Sequence, residues 1–198
     1  MSLLLAVSQA AIAKDGPIGI DHPVARDNDG LTLRRNQLLI EDGMIIALVA
    51  GALRHDPASR LGDTYWRAID ASVLGAVAST GLKYVFTRSR PTESSDPNLW
   101  FQGRGHYSFP SGEVTFMSAA VTPFIMQYRD DHPAIWALEL LPVYDAYARV
   151  KVGGHWQSDV LAGFLLGAGA GYIAATRDSP FMLQAMPRGF MLGYRARF

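Results

Sequence analysis

The chain has 198 residues, 49% of them hydrophobic and 18% charged, and its formal net charge is zero. That is enough apolar material for one sizeable core, and it excludes disordered and collagen-like classes. Zero net charge removes the basic excess of a nucleic-acid binder, so nucleic acid is not an expected partner. The absence of cysteine removes disulfides, thiol catalysis and Cys-ligated metal.

Met1 to Ala13 carries no charge and ends in Ala11-Ile12-Ala13, similar to the apolar region and cleavage site of a secretory signal without its basic start. Asp15 to Leu33 is rich in Gly, Pro, Asp and Asn and reads as a surface loop. Helical spacing of apolar residues predicts a helix over Asn36 to Leu53, interrupted at Gly43, and another over Thr64 to Phe86 capped by Asp63 or Thr64. Pro91 to Pro110 is polar and irregular, and its length suits a lid or binding loop. Further helices are predicted over Gly112 to Tyr128, Pro133 to Val150 and His155 to Thr176.

The longest uncharged run, Val160 to Thr176, is diluted by Gly163, Gly167, Gly169 and Gly171, and reads as a buried central helix rather than a membrane span. Only Phe190 to Phe198 alternates with period two, and weakly. The expectation is one all-α domain: an N-terminal segment and loop over 1–35, a helical core over 36–176 and a tail over 177–198.

Three separated fragments carry residues suited to a phosphate group. In Lys83 to Pro91, Lys83 and Arg90 lie seven apart, close to two helical turns, although Pro91 disfavours helix at Arg90. Arg offers a planar fork matched to phosphate oxygens and Lys a mobile point charge. Ser108 to Glu113 puts Pro110, Ser111 and Gly112 just before a helix, where free N–H groups can receive an anion. In Arg149 to Asp159, His155 and Asp159 stand at i and i+4, so on a helix the carboxylate can accept from one ring nitrogen and leave the other free to attack. Singly, each fragment also fits a plain structural role: a basic helix end, an N-cap, a local hydrogen bond.

In this order the fragments resemble the signature of the type 2 phosphatidic acid phosphatase superfamily, which includes bacterial acid phosphatases, lipid phosphate phosphatases and vanadium haloperoxidases. Lys83, Arg90 and Pro91 match its first element completely. Pro110, Ser111 and Gly112 match the second, with Glu113 where the family has His. Arg149, His155 and Asp159 match the third, with Ala148 in place of Ser.

The resemblance implies a helical bundle in which Lys83, Arg90, Ser111, Gly112 and Arg149 cradle phosphate, His155 attacks phosphorus to give a phosphohistidine, and Asp159 orients its ring. It implies no metal and no cofactor for hydrolysis. The missing motif histidine leaves two candidates for general acid, Glu113 itself and His106.

The expected activity is hydrolysis of a phosphomonoester or of a lipid phosphate or pyrophosphate, in the bacterial periplasm or at a membrane face. The partners are then a phosphorylated small molecule or lipid and a membrane surface. A vanadium-dependent haloperoxidase and a non-catalytic phosphate-binding relic are the alternatives. Short length and the missing histidine weigh against the first.

Overall fold

The structure is a computed structural model that describes residues 15–176 and the backbone of two strands, 181–186 and 189–194. The signal-like segment Met1 to Ala13 and the last residues of the tail, 195–198, lie outside the described residues.

Helix α1, Arg34–Arg54, runs through Gly43 without a break. A Cβ at that position would meet nothing within 4 Å, so glycine there costs only its propensity, about 1 kcal/mol. Helix α2, Arg60–Phe86, starts before the expected Thr64 because Ser59 is the N-cap, its hydroxyl accepting from the Gly62 N–H at 3.0 Å. Asp63, expected as a cap, lies instead in the first turn and accepts from Arg67 Nε at 2.6 Å. The helix ends at Phe86 with Thr87 left-handed (φ 34°, ψ 56°), so Arg90 lies beyond the helix rather than two turns along from Lys83.

Helix α3 spans Gly112–Tyr128 as expected. The single helix expected from Pro133 to Val150 divides into a 3-10 turn, Pro133–Glu139, and helix α4, Leu140–Lys151. Pro142 explains the division: with no N–H to donate, it fits the first turn of a helix and not the middle of a longer one. Helix α5, Gln157–Thr176, starts two residues after the expected His155. Strands β1, Phe181–Met186, and β2, Gly189–Tyr194, pair antiparallel from Phe181 with Tyr194 to Met186 with Gly189. β2 overlaps the weakly alternating stretch; β1 carries no such signal.

The core is all helix, with α3 at its centre against α2 and α5. Val114, Met117, Ala119, Ala120 and Val121 of α3 are all buried. The α3–α5 contact is very close because glycines line it: a Cβ would stand 2.6 Å from Ser111 O at Gly163, 2.3 Å from Thr115 O at Gly167 and 2.4 Å from Thr122 Cβ at Gly171. This stripe fixes the start of α5, and with it the third fragment, against the start of α3, which carries the second.

The segment from Asp15 to Asp29 crosses the α5 end of the bundle as a strap. Asp21 Oδ1 accepts from Ser158 N at 2.7 Å, Gln157 Nε2 donates to His22 O at 3.0 Å, and Asp27 N donates to Lys151 O at 2.9 Å. Helices α1 and α5 are long and apolar enough to cross a membrane. Large apolar side chains face outward on α1 (Ile46, Leu53), α2 (Val73, Val77), α4 (Leu140, Val143) and α5 (Leu165).

Candidate active site

His155 lies in the turn before α5, 3% exposed. Its Nδ1 donates to the Ser108 carbonyl at 2.6 Å, which fixes the tautomer and leaves Nε2 with its lone pair. Burial, then Lys83, Arg149 and Arg90, hold the imidazole well below its usual pKa, so the ring is neutral near neutral pH.

The expected direct bond from His155 to Asp159 does not form; Nδ1 and Oδ2 are 3.9 Å apart. With the helix starting only at Gln157, the two side chains do not share its face. Asp159 Oδ2 accepts instead from the Trp156 N–H at 2.9 Å and from the Ser108 hydroxyl at 2.5 Å. Asp159 therefore holds His155 through Ser108, whose hydroxyl meets the carboxylate and whose carbonyl meets the ring.

The other oxygen of Asp159 accepts from Arg88 Nη1 at 2.5 Å, and Arg88 Nη2 donates to Asp21 Oδ2 at 2.6 Å. All three side chains are fully buried, and the Arg88 guanidinium lies 4.3 Å from the Trp100 ring centroid. A buried ion triad persists only when its remaining donors are satisfied, and here Pro97 O and Ser158 Oγ accept from Arg88. Sequence patterning offers no sign of Asp21. Nor does it offer one of Arg88.

Lys83, at the end of α2, donates to the carbonyls of Tyr107 at 3.0 Å and Pro110 at 2.6 Å. Burial and the nearby Arg90 lower its ammonium to about 8. A Cβ at Gly112 would lie 3.5 Å from Lys83 Cε, so the lysine stem runs beside the N-terminus of α3. Arg90 reaches Tyr107 O at 3.5 Å. Arg149, on α4, packs over Gly154, where a Cβ would stand 2.5 Å from its Nη2. The Ser111 hydroxyl and Arg149 Nε are buried donors with no hydrogen-bond partner among the described residues. Lys83, Arg90, Ser111, Gly112, Arg149, His155 and Asp159 are thus brought to one site.

The two acid candidates take other partners. Both Glu113 oxygens accept from Arg34 of α1, one of them from Nη2 at 2.7 Å, and Oε2 lies 3.6 Å from Arg149 Nε. A carboxylate filled by a guanidinium fork is an acceptor, the reverse of the expected donor role. His106 pairs through Nδ1 with Glu93 Oε2 at 2.8 Å and lies 3.2 Å from Ser89 Oγ, half-buried in the irregular loop.

The model of the PAP2 superfamily matches residues 64–180, which include every one of the converging residues. The chain belongs to the PAP2 superfamily. Among curated relatives of this PAP2 chain is an undecaprenyl-diphosphatase of Sulfolobus acidocaldarius, 32% identical over 111 residues, 55% of this chain and 50% of the relative. The chain thus spans about half the length of that relative. The crystal structure of LpxE from Aquifex aeolicus resembles the PAP2 fold seen here with a TM-score of 0.51 at 18% identity, over 73% of this chain and 87% of that one. At that identity the likeness speaks for the fold alone, and it agrees with an all-α bundle.

Proposed function

We propose that this PAP2 chain is a phosphatase that passes a phosphoryl group from a lipid phosphate, lipid diphosphate or related phosphomonoester to His155 and then to water. The observation that carries the reading is the convergence of Lys83, Arg90 and Arg149 on a neutral His155 whose Nδ1 is already committed to Ser108. Nε2 is the nucleophile. The cations and the unpartnered Ser111 hydroxyl stabilise the charge that spreads over the equatorial oxygens as phosphorus is attacked. Asp159, through Ser108, stabilises the ring once it bears the phosphoryl group.

Glu113 serves as an anchor in this reading: clamped by Arg34, it attracts Arg149 and holds its fork toward the phosphate. The lipid class is supported by the diphosphatase relative and by the outward apolar side chains on α1, α2, α4 and α5, which suit a protein lying against a membrane face.

Rapid quench with labelled substrate tests the nucleophile. The wild-type chain should give an acid-labile, base-stable phosphoenzyme, and His155→Gln should give none. Label retained in that variant would remove His155 from the role.

A further inference from the structure

The strap reaches the nucleophile through a line of buried polar atoms that begins at Asp21. Asp21 Oδ2 accepts from Arg88 Nη2 at 2.6 Å, and Arg88 Nη1 donates to Asp159 Oδ1 at 2.5 Å. Asp159 Oδ2 accepts from the Ser108 hydroxyl at 2.5 Å, and the Ser108 carbonyl accepts from His155 Nδ1 at 2.6 Å. Asp21, Arg88, Ser108 and Asp159 have no exposed surface. Residues 64–180 include every member of this line except Asp21, so its far end lies outside the family match.

The strap is folded around the Asp21 carboxylate. The Asp21 N–H donates to Asp15 O at 2.8 Å, and a Cβ at Gly16 would stand 2.3 Å from Asp21 Oδ2. Gly16 has φ +80°, which glycine adopts without strain. Asp21 Oδ1 accepts from the Ser158 N–H at 2.7 Å, and Oδ2 accepts from the Ser158 hydroxyl at 2.7 Å. Both oxygens are used inside the protein, and neither is open to a substrate.

The charge balance behind His155 gives this carboxylate a function. When neutral His155 attacks, Nε2 gives its lone pair to phosphorus, the bond to the leaving oxygen breaks, and that oxygen departs with the electron pair. The ring, still carrying its proton on Nδ1, becomes cationic. Lys83, Arg149 and Arg90 all oppose a positive ring. The counter-charge has to come through Asp159, and Arg88 paired with Asp159 alone would cancel it. Two carboxylates on one guanidinium leave one negative charge, which is weakly screened because all three side chains are buried.

We propose that Asp21 is a positioning residue for the reaction: by sharing Arg88 with Asp159, it keeps a net negative charge behind His155 and holds the Asp159–Ser108 relay in place. This rests on the phosphatase reading above and adds to it a residue that never meets the substrate.

The test is single-turnover rapid quench with nitrophenyl phosphate, whose leaving group departs as an anion without a proton. The inhibition constant of inorganic phosphate and thermal unfolding are measured beside it. Asp21→Asn keeps the size of the side chain and an acceptor for the Ser158 N–H, and removes the charge. Formation of the phosphoenzyme should slow by about ten-fold or more. Inorganic phosphate should bind no more weakly than in the wild type, because the cradle of Lys83, Arg90, Ser111 and Arg149 does not include Asp21. Asp27→Asn removes a charge from the same strap, where the carboxylate accepts from the Asp29 N–H, and should change neither value.

An unchanged rate in Asp21→Asn overturns the proposal. So does a loss of phosphate affinity in step with the rate, which would make Asp21 a support of the cradle. Where thermal unfolding shows that Asp21→Asn does not fold, Gly16→Ala decides, since it keeps every charge and pushes the carboxylate away from Arg88. Its rate should fall about five-fold or more at constant phosphate affinity, and an unchanged rate overturns the proposal. A wild type that forms no phosphoenzyme from any ester removes the phosphatase reading and the proposal with it. A wild type that turns over beside an unimpaired Asp21→Asn removes the proposal alone.

Discussion

Asp145 lies one turn before Arg149 on α4, 2% exposed, with Oδ2 buried and lacking a hydrogen-bond partner among the described residues. Burial first, then the charge of Glu113, raise its carboxyl to about 7, against the pull of Arg149 and Arg34; Glu41 adds to the rise. The folded chain therefore holds a proton that the unfolded chain releases near pH 4. Its contribution to stability is complete below about pH 4 and is lost as pH rises from there to about 7. Asp145→Asn should thus stabilise the protein at pH 8, by up to about 4 kcal/mol, and change little at pH 3. Urea unfolding at the two pH values measures this. Equal effects at both would mean that the carboxyl titrates normally. The residue scale is also where the site departs most from its sequence pattern. Glu113 and Asp159 occupy motif positions, yet their partners Arg34, Arg88 and Ser108 come from elsewhere in the chain or lack an assigned role in the motif.

At the scale of elements, the glycine stripe of α5 decides where the fragments meet. Gly167 presses on the Thr115 carbonyl, whereas Gly169, two residues on, faces open space. Gly167→Ala should force α5 away from α3 and cost about 1–3 kcal/mol. Gly169→Ala should stabilise by about 0.5–1 kcal/mol through helix propensity alone. Thermal unfolding of the pair separates packing from propensity. A matching gain in both variants would show that the helices are not in tight contact. The same stripe illustrates what patterning can and cannot carry: the glycines mark α5 as a helix meant for close approach, but not which helix it approaches. Boundaries were legible to within a few residues where a cap or proline marked them, as at Gly112. They shifted where a nearer cap or a later proline prevailed, as with Ser59 and Pro142.

At the scale of the whole molecule, outward Ile46, Val77, Val143 and Leu165 give four different helices an apolar exterior. Such outward apolar side chains suit the proposed lipid substrate and a membrane face. The chain should therefore float with liposomes in a density gradient and remain with them in 1 M salt, because apolar contact is not screened. Recovery in the bottom fraction would remove the membrane face from the proposal. The strap belongs to this scale too, since its Asp21 and Asp27 bond Arg88, Ser158 and Lys151, which come from separate parts of the chain.

By itself, the sequence determined the helical class, through apolar residues at a period of 3.6, and the seven motif positions of the site, through residue types whose order along the chain is rare. Those are local facts, carried by spacing. Tertiary structure alone decided that Asp159 reaches His155 through Ser108, that Arg88 joins Asp159 to Asp21, and that Arg34 fills Glu113. Each of these pairs residues far apart in the chain through the packing of α1, α3, α4, α5 and the strap, and no periodicity encodes which distant donor will meet a given buried acceptor.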